Sequence, residues 1–436
     1  MTGRRRTRIF RSAHHQPART TARTTALSAG ALTACATLAV GCGVIPGATG
    51  GARDDTVTVM TWAPEKTGAT NKPGMPALAE AYERWVNAHG GINGHKLKVL
   101  TCNDHNDTVG AAKCARRAAD ENVVAVVGSY SQHGTYFLSP LESAGIPYIG
   151  GYGVTDDEFE SPVSYPVNGG EPALLAGLGE QLGRICGPVA LVRPDTFAGD
   201  QLPVLLNAGL KSEGHSTVAD QRAADDATEY AGQTSQALRR ATSDPAKRGC
   251  VVPALGDRTD TFMDSFRRDR EEFPKVRTAT VLGGVDQSLI DSTGGASSPY
   301  EGSYATGWYP AASDHRWDAM RKVIKEQAFD DNRIDPADPG VQTTWIAYTV
   351  LKTAIESLGD GEVTSRTVQR ALDKGLKVPT GGLTPTLSWR SQDMLATVEF
   401  PRLVNADVTF QVVREGQLVS ARRGFVNVKK TLENAD

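Results

Sequence analysis

The sequence predicts an α/β fold built as two closely joined parallel-sheet units. Three observations carry this. Apolar strands alternate with helix-like segments from residue 56 onward. The alternation restarts near residue 172, and no low-complexity block or long linker separates the two runs. The 436 residues, 39% hydrophobic and 22% charged, have ordinary globular composition at a length that suits two or three domains.

In the first run, "TVTVMTW" reads as a strand. Leu78, Tyr82, Trp85 and Val86 then recur at helical spacing, with Pro76 near the start and Gly90-Gly91 as the stop. "KLKVLTC" is a strand, "TVGAAKCARRAAD" a helix, and "VVAVVG" a buried strand. "GTYFLSPLESAG" is a helix closed by Gly145, and "IPYIGG" another strand. The second run gives helix "ALLAGLGEQLG", strand "PVALVRP", a helix over 202–210 and strand "STVAD". Helix "YAGQTSQALRRAT", strand "CVVPAL", helix "DTFMDSFRRD" and strand "TATVLGG" follow. The tail breaks the rhythm. "VQTTWIAYTVLKTAIESLG" is a long amphipathic helix and "SRTVQRALDKG" a shorter one. Short strands are expected from "ATVEF" onward.

Residues 1–41 read as an export signal rather than domain structure. Seven arginines and no acid precede the uncharged run "TTALSAGALTACATLAVGC". Because the formal net charge is -3, the chain without those arginines carries -10. Such an acidic body is a poor match for a phosphate backbone and argues against nucleic-acid binding. Leu38-Ala39-Val40-Gly41-Cys42 is similar to a bacterial lipobox, in which the cysteine takes diacylglycerol; "LTAC", ending at Cys35, also fits the pattern. Cys42 is preferred because its apolar run is longer and "GVIPGATGGARDD" after it suits a flexible tether over 42–55. Export implies an oxidising compartment, so Cys102, Cys114, Cys186 and Cys250 are read as two disulfides with three possible pairings.

An ordered set of motifs gives these elements a resemblance to a known family. "VNAHGGINGHKLKVLTCND" resembles the helix-turn-strand of type 1 periplasmic binding proteins, the leucine/isoleucine/valine-binding group of branched-chain amino-acid uptake. "VVAVVGSYSQHGT", "GIPYIGGYGVT", "RPDTFAGDQL", "EGSYATGW" and "WIAYTVLKTAIESLG" resemble later motifs of that family, in the same order, over roughly residues 56–430. The resemblance implies two doubly wound lobes joined by a three-crossover hinge, 56–168 with 306–384 and 169–305 with 385–436. Open α/β sheets bind ligands at the carboxyl ends of their strands, which points to loops 61–68, 128–134, 150–155, 195–199, 255–258 and 284–287.

The resemblance implies a small polar, carboxylate-bearing, amino-acid-like ligand held between the lobes. Ser129, Ser131 and Gln132 would supply donors to the carboxylate, with Tyr152 and Thr155 as a second edge. Ser131 can equally serve as a helix cap. Phe197 stands where the family more often has Tyr and would pack on the ligand. Asp286 would pair with an ammonium, with Val285 as the neighbouring candidate for that place. Trp62, Tyr152 and Trp308 lie at or near strand ends and could line the cleft.

On the predicted elements, Cys102 ends a strand and pairs with Cys114 in the next helix. Cys186 and Cys250, each at a strand start, staple one lobe. The knot "TCNDHND" fits no common zinc spacing or calcium loop, and "DDNRIDPADPG" reads as a solvated loop, so no metal is expected. No G-x-S-x-G, H-E-x-x-H, P-loop or G-x-G-x-x-G occurs, so neither an enzyme nor a cofactor is expected. The implied partners are a membrane-embedded ABC permease and, through the lipid, the outer face of the cytoplasmic membrane, with the protein a monomer. A lipoprotein of the same fold that signals ligand occupancy to a sensor is the alternative.

Overall fold

The computed structural model describes residues 56–435 except Ala69, Phe197, Asp225, Leu282, Gly283, Val398 and Glu399. The expected signal segment and tether, Cys35, Cys42 and Phe197 therefore lie outside the described residues. Both sheets belong to one compact unit, Ala52–Asp436.

The first five strands are β1 (Thr56–Trp62), β2 (Lys96–Cys102), β3 (Ala125–Val127), β4 (Tyr148–Ile149) and β5 (Ser164–Tyr165). They form one sheet in the order β2-β1-β3-β4-β5, and every pairing is parallel. Side chains alternate across a strand, and β1 divides its residues accordingly. Val57 and Val59 enter one core with the helices Gly74–Ala88 and Pro339–Ser357. Met60 and Trp62 enter another with the helices Thr108–Asp120 and Gly134–Ala144. Helices thus cover both faces, as an all-parallel sheet requires.

The second sheet repeats this logic with β6 (Val189–Pro194), β7 (Ala219–Ala223), β8 (Cys250–Pro253), β9 (Arg277–Val281) and β10 (Tyr304–Gly307). Their order is β10-β9-β8-β6-β7, all parallel. Ala190 and Val192 pack on the helices Ala231–Ala241 and Thr259–Asp269, while Val189 and Leu191 pack on Gly170–Ile185 and Leu202–Ser212. Three further strands, β11 (Asp407–Arg414), β12 (Gln417–Ser420) and β13 (Val426–Asn427), add an antiparallel margin beyond β10. Among the described residues of this tail the first strand is the one from Asp407; Val398 and Glu399 of the "ATVEF" stretch lie outside the described residues.

Local signals account for the helix boundaries. Asp107 caps Thr108–Asp120 by accepting the Gly110 N–H at 2.7 Å. Gly145 closes Gly134–Ala144 in the left-handed region, at φ 64°. At the turn after Gly74–Ala88, Gly91 has φ 81°, and a Cβ there would run into the His95 carbonyl.

The chain passes between the sheets three times, and the three passages are tied together. Trp308 Nε1 donates to the Gly170 carbonyl at 2.8 Å, and Asn168 Nδ2 donates to the Tyr309 hydroxyl at 3.1 Å. Asn405 Nδ2 donates to the Val167 carbonyl at 3.0 Å. Residues just before the third passage bond to the first sheet: Trp389 Nε1 reaches the Pro166 carbonyl and the Arg402 guanidinium the Ser164 carbonyl. Both fall in the range 385–436 that the resemblance gave to the second lobe.

Two disulfides join Cys102 to Cys114 and Cys186 to Cys250. They close loops of very different length, with separations of 12 and 64 residues. Chain entropy then assigns about 3 kcal/mol to the first and about 4 kcal/mol to the second. Urea unfolding of the paired Cys→Ala variants should show the larger loss for Cys186/Cys250. The reverse order would mean that native-state relaxation outweighs loop closure.

Candidate functional site

The loops after β1, β3 and β4 face those after β8, β9 and β10 across a cavity of about 270 Å³. The first sheet contributes Thr70, Lys72, Tyr130, Gln132 and Tyr152. The second contributes Val252, Pro253 and Val281, and the passages and adjacent helices add Glu171, Leu174, Leu202 and Trp308. Three rings form a continuous wall. Tyr130 and Tyr152 meet edge-on with centroids 5.0 Å apart, and Tyr152 and Trp308 do so at 5.1 Å. The Trp308 N–H is spent on Gly170, so its ring is held in place.

Lys72 is the basic side chain of this lining, and sequence reasoning did not single it out. Its ammonium donates to Asp338 Oδ2 at 2.9 Å and lies 5.5 Å from the Tyr152 ring centroid. Its side chain is only 15% exposed. Burial disfavours the cation, but Tyr152, Asp338 and Tyr130 more than offset it, so the lysine pKa is raised and the group stays charged. A lysine between Asn71 and Pro73 looks like a solvated loop residue. Its partner stands 266 positions later, where no local pattern links the two.

The expected site residues separate into groups. Gln132 and Tyr152 line the cavity. Ser129 and Ser131 do not: both are buried and turn into the protein. Ser129 Oγ accepts the Trp62 N–H, and Ser131 Oγ accepts the His133 N–H and faces the buried Asp104. Alternate side chains of this segment point opposite ways, so Tyr130 and Gln132 reach the cavity instead. Trp62 packs on Phe137 and Tyr148 on the opposite side of the first sheet from the Val57 and Val59 core. Asp286 lines a neighbouring depression and caps the helix Gln287–Ser292 by accepting the Leu289 N–H at 2.8 Å. Val285 is buried in the second lobe's core.

Thr155 borders an adjoining cleft and is engaged by an acid that sequence reasoning missed. Glu158, 2% exposed, accepts the N–H groups of Gly153 at 3.1 Å, Val154 at 3.1 Å and Thr155 at 3.3 Å. The Thr155 hydroxyl adds a fourth bond at 3.3 Å. The D-E-F-E helix at 157–160 brings this carboxyl back under its own preceding turn. Glu171, exposed in the open cleft, has its pKa raised by the surrounding protein and by Asp156.

Two parallel sheets that close on a cavity of this kind define a two-lobed binding protein, and sequence comparison agrees. The chain belongs to the family described as "Periplasmic binding protein", whose sequence profile matches residues 65–398. No curated protein matches it. Several solved structures share the fold. A substrate-binding periplasmic protein from Ralstonia solanacearum is 16% identical, with TM-score 0.65, covering 84% of this chain and 99% of that one. A branched-chain amino acid ABC transporter protein from Thermus thermophilus with bound valine is 15% identical, with TM-score 0.64 and coverages of 86% and 97%. A solute-binding protein from Rhodopseudomonas palustris HaA2 in complex with p-hydroxybenzoic acid is 14% identical, with TM-score 0.67 and coverages of 87% and 100%.

Glu158 has a measurable signature. Burial pushes its carboxyl up to about 7 from 4.5, against the downward pull of the four donors. Between those values the unfolded chain has released the proton while the fold retains it. Stability from this group is therefore present below 4.5 and is lost as pH rises to about 7, by about 3 kcal/mol. Glu158→Gln should flatten that part of the curve of unfolding free energy against pH. An unchanged slope would place the proton elsewhere.

Proposed function

We propose that this protein is an exported solute-binding lipoprotein that captures a small polar, carboxylate-bearing, amino-acid-like ligand between its lobes for a membrane-embedded ABC permease. The observation that carries this reading is the cavity between the carboxyl edges of two parallel sheets, lined from both sides and flanked by the three tied passages. One wall is apolar, with Leu174, Leu202 and Val252, and the other polar, with Lys72, Tyr130 and Gln132. That division suits a small molecule with a charged end and a less polar body. Valine and p-hydroxybenzoic acid, bound by proteins of similar fold, are both of this type.

Closure follows from the two-sided lining. A ligand shifts an open–closed equilibrium only through its preference for one form, and contacts to both lobes form only when they approach. Lipidation of Cys42 would supply two acyl chains, enough for stable anchoring. Among the described residues no helix is long and apolar enough to cross a membrane, and the reading assigns attachment to the lipid.

Two measurements test the reading. A thermal-shift screen over amino acids, amides, organic acids and sugars should find a solute that raises the melting temperature, by about 2.7 kcal/mol of stabilisation at a hundredfold excess over Kd. X-ray scattering should show compaction with the same solute; a protein indifferent to the whole screen would not be a solute receptor. Separately, Cys42→Ser should move the protein from the membrane to the soluble fraction. Normal maturation with undiminished membrane retention would shift the anchor to Cys35 or away from lipid.

A further inference from the structure

We propose that the ligand's carboxylate is anchored by the Lys72 ammonium, because the chain's own Glu158 occupies the donors of the 153–155 turn. This rests on the solute-binding reading above and names the ligand class of that site: monocarboxylates with an apolar or aromatic body.

The turn after β4 presents three consecutive amide N–H groups and the Thr155 hydroxyl, a natural anion cradle. All four point at Glu158, which is buried directly behind them. A ligand carboxylate could claim those donors only by displacing a buried acid and leaving it without partners, which is costly. The serine hydroxyls after β3 offer no alternative, since Ser129 and Ser131 both turn inward.

Lys72 has the opposite character. An ammonium has three N–H donors, and Asp338 is its hydrogen-bond partner among the described residues. Asp338 is itself immobilised, since its other oxygen caps the helix Pro339–Ser357 by accepting the Gly340 N–H at 2.6 Å and the Val341 N–H at 3.1 Å. The lysine is thereby aimed without being exhausted. It also precedes the helix Gly74–Ala88 by two residues, where the positive end of the helix dipole disfavours a cation. An anion beside it relieves both penalties. The cavity puts this cation with the Tyr130 and Tyr152 rings and opposite Leu174, Leu202 and Val252.

The acids limit the class. Glu171 is the carboxylate in the lining and would repel a second carboxylate on the ligand. Asp286 is committed to its helix and lies outside the lining, so nothing at that position requires an α-ammonium.

The test is calorimetry and thermal shift on the full mature chain. The probes are benzoate, 4-hydroxybenzoate, isovalerate, valine and leucine, the amides benzamide and isovaleramide, the dicarboxylates phthalate and succinate, and neutral sugars. At least one monocarboxylate should bind, with its amide and its dicarboxylate relative much weaker. Lys72→Met should weaken that monocarboxylate about 10- to 100-fold, the range for loss of a charge-assisted bond. If leaving Asp338 alone unfolds the single variant, Lys72→Met/Asp338→Asn restores neutrality and keeps a capping side chain, and the same loss is expected. Unchanged affinity in either folded variant, or equal binding of acid and amide, overturns the proposal. So does a wild-type protein that responds only to sugars, although it would still be a solute receptor. Silence toward every probe counts against both readings.

Discussion

Parallel strand pairing is the constraint on which the rest of this structure depends. Parallel neighbours cannot be joined by tight turns, so each strand needs a crossover that returns the chain to the same starting edge. All strands of one sheet then end on one edge, and the loops leaving that edge are freed from the packed helical layers. Here two such edges face each other, held by passages that share hydrogen bonds among Asn168, Gly170, Trp308, Tyr309, Asn405 and Val167. The cavity is a consequence of that arrangement before any particular side chain is considered. The antiparallel margin from β11 onward lies at the far side of β10 and leaves the facing edges open.

The electrostatics of the cleft are organised in pairs whose members come from distant parts of the chain. Lys72 and Asp338 belong to loops that precede two different helices, and each helix start shapes its residue's environment. Glu158 answers the turn just before it, so that turn's anion-seeking geometry is satisfied within the protein. Asp286 does the same for a helix in the second lobe. The first lobe thus meets the cavity with a cation and phenol groups, and the second with mainly aliphatic surface. A single site acquires a polar and an apolar end because each lobe supplies one.

What the sequence determined by itself was most of the secondary structure, the class of fold and the disulfides; β5 escaped it, and β7 lies at Ala219–Ala223 rather than over "STVAD". β1, β2 and the helix Thr108–Asp120 match the stretches read from periodicity residue for residue, because apolar spacing, caps and glycine stops are local signals. Cys102 and Cys114 could be paired because one ends a strand and the other sits on the next helix. The direction of individual side chains was not legible. A one-residue alternation separates Ser129 and Ser131, which face inward, from Tyr130 and Gln132, which face the cavity, and composition carries no record of which set faces which way. Trp62 shows the same limit, since a strand-end tryptophan suits either face and packing put it beside Phe137. Only the tertiary structure decided that Lys72 sits beside Asp338 and that Glu158 fills the turn at Thr155. Such contacts arise where separate elements meet, and a carboxylate or ammonium takes its role from its burial and its partners rather than from its neighbours in the chain.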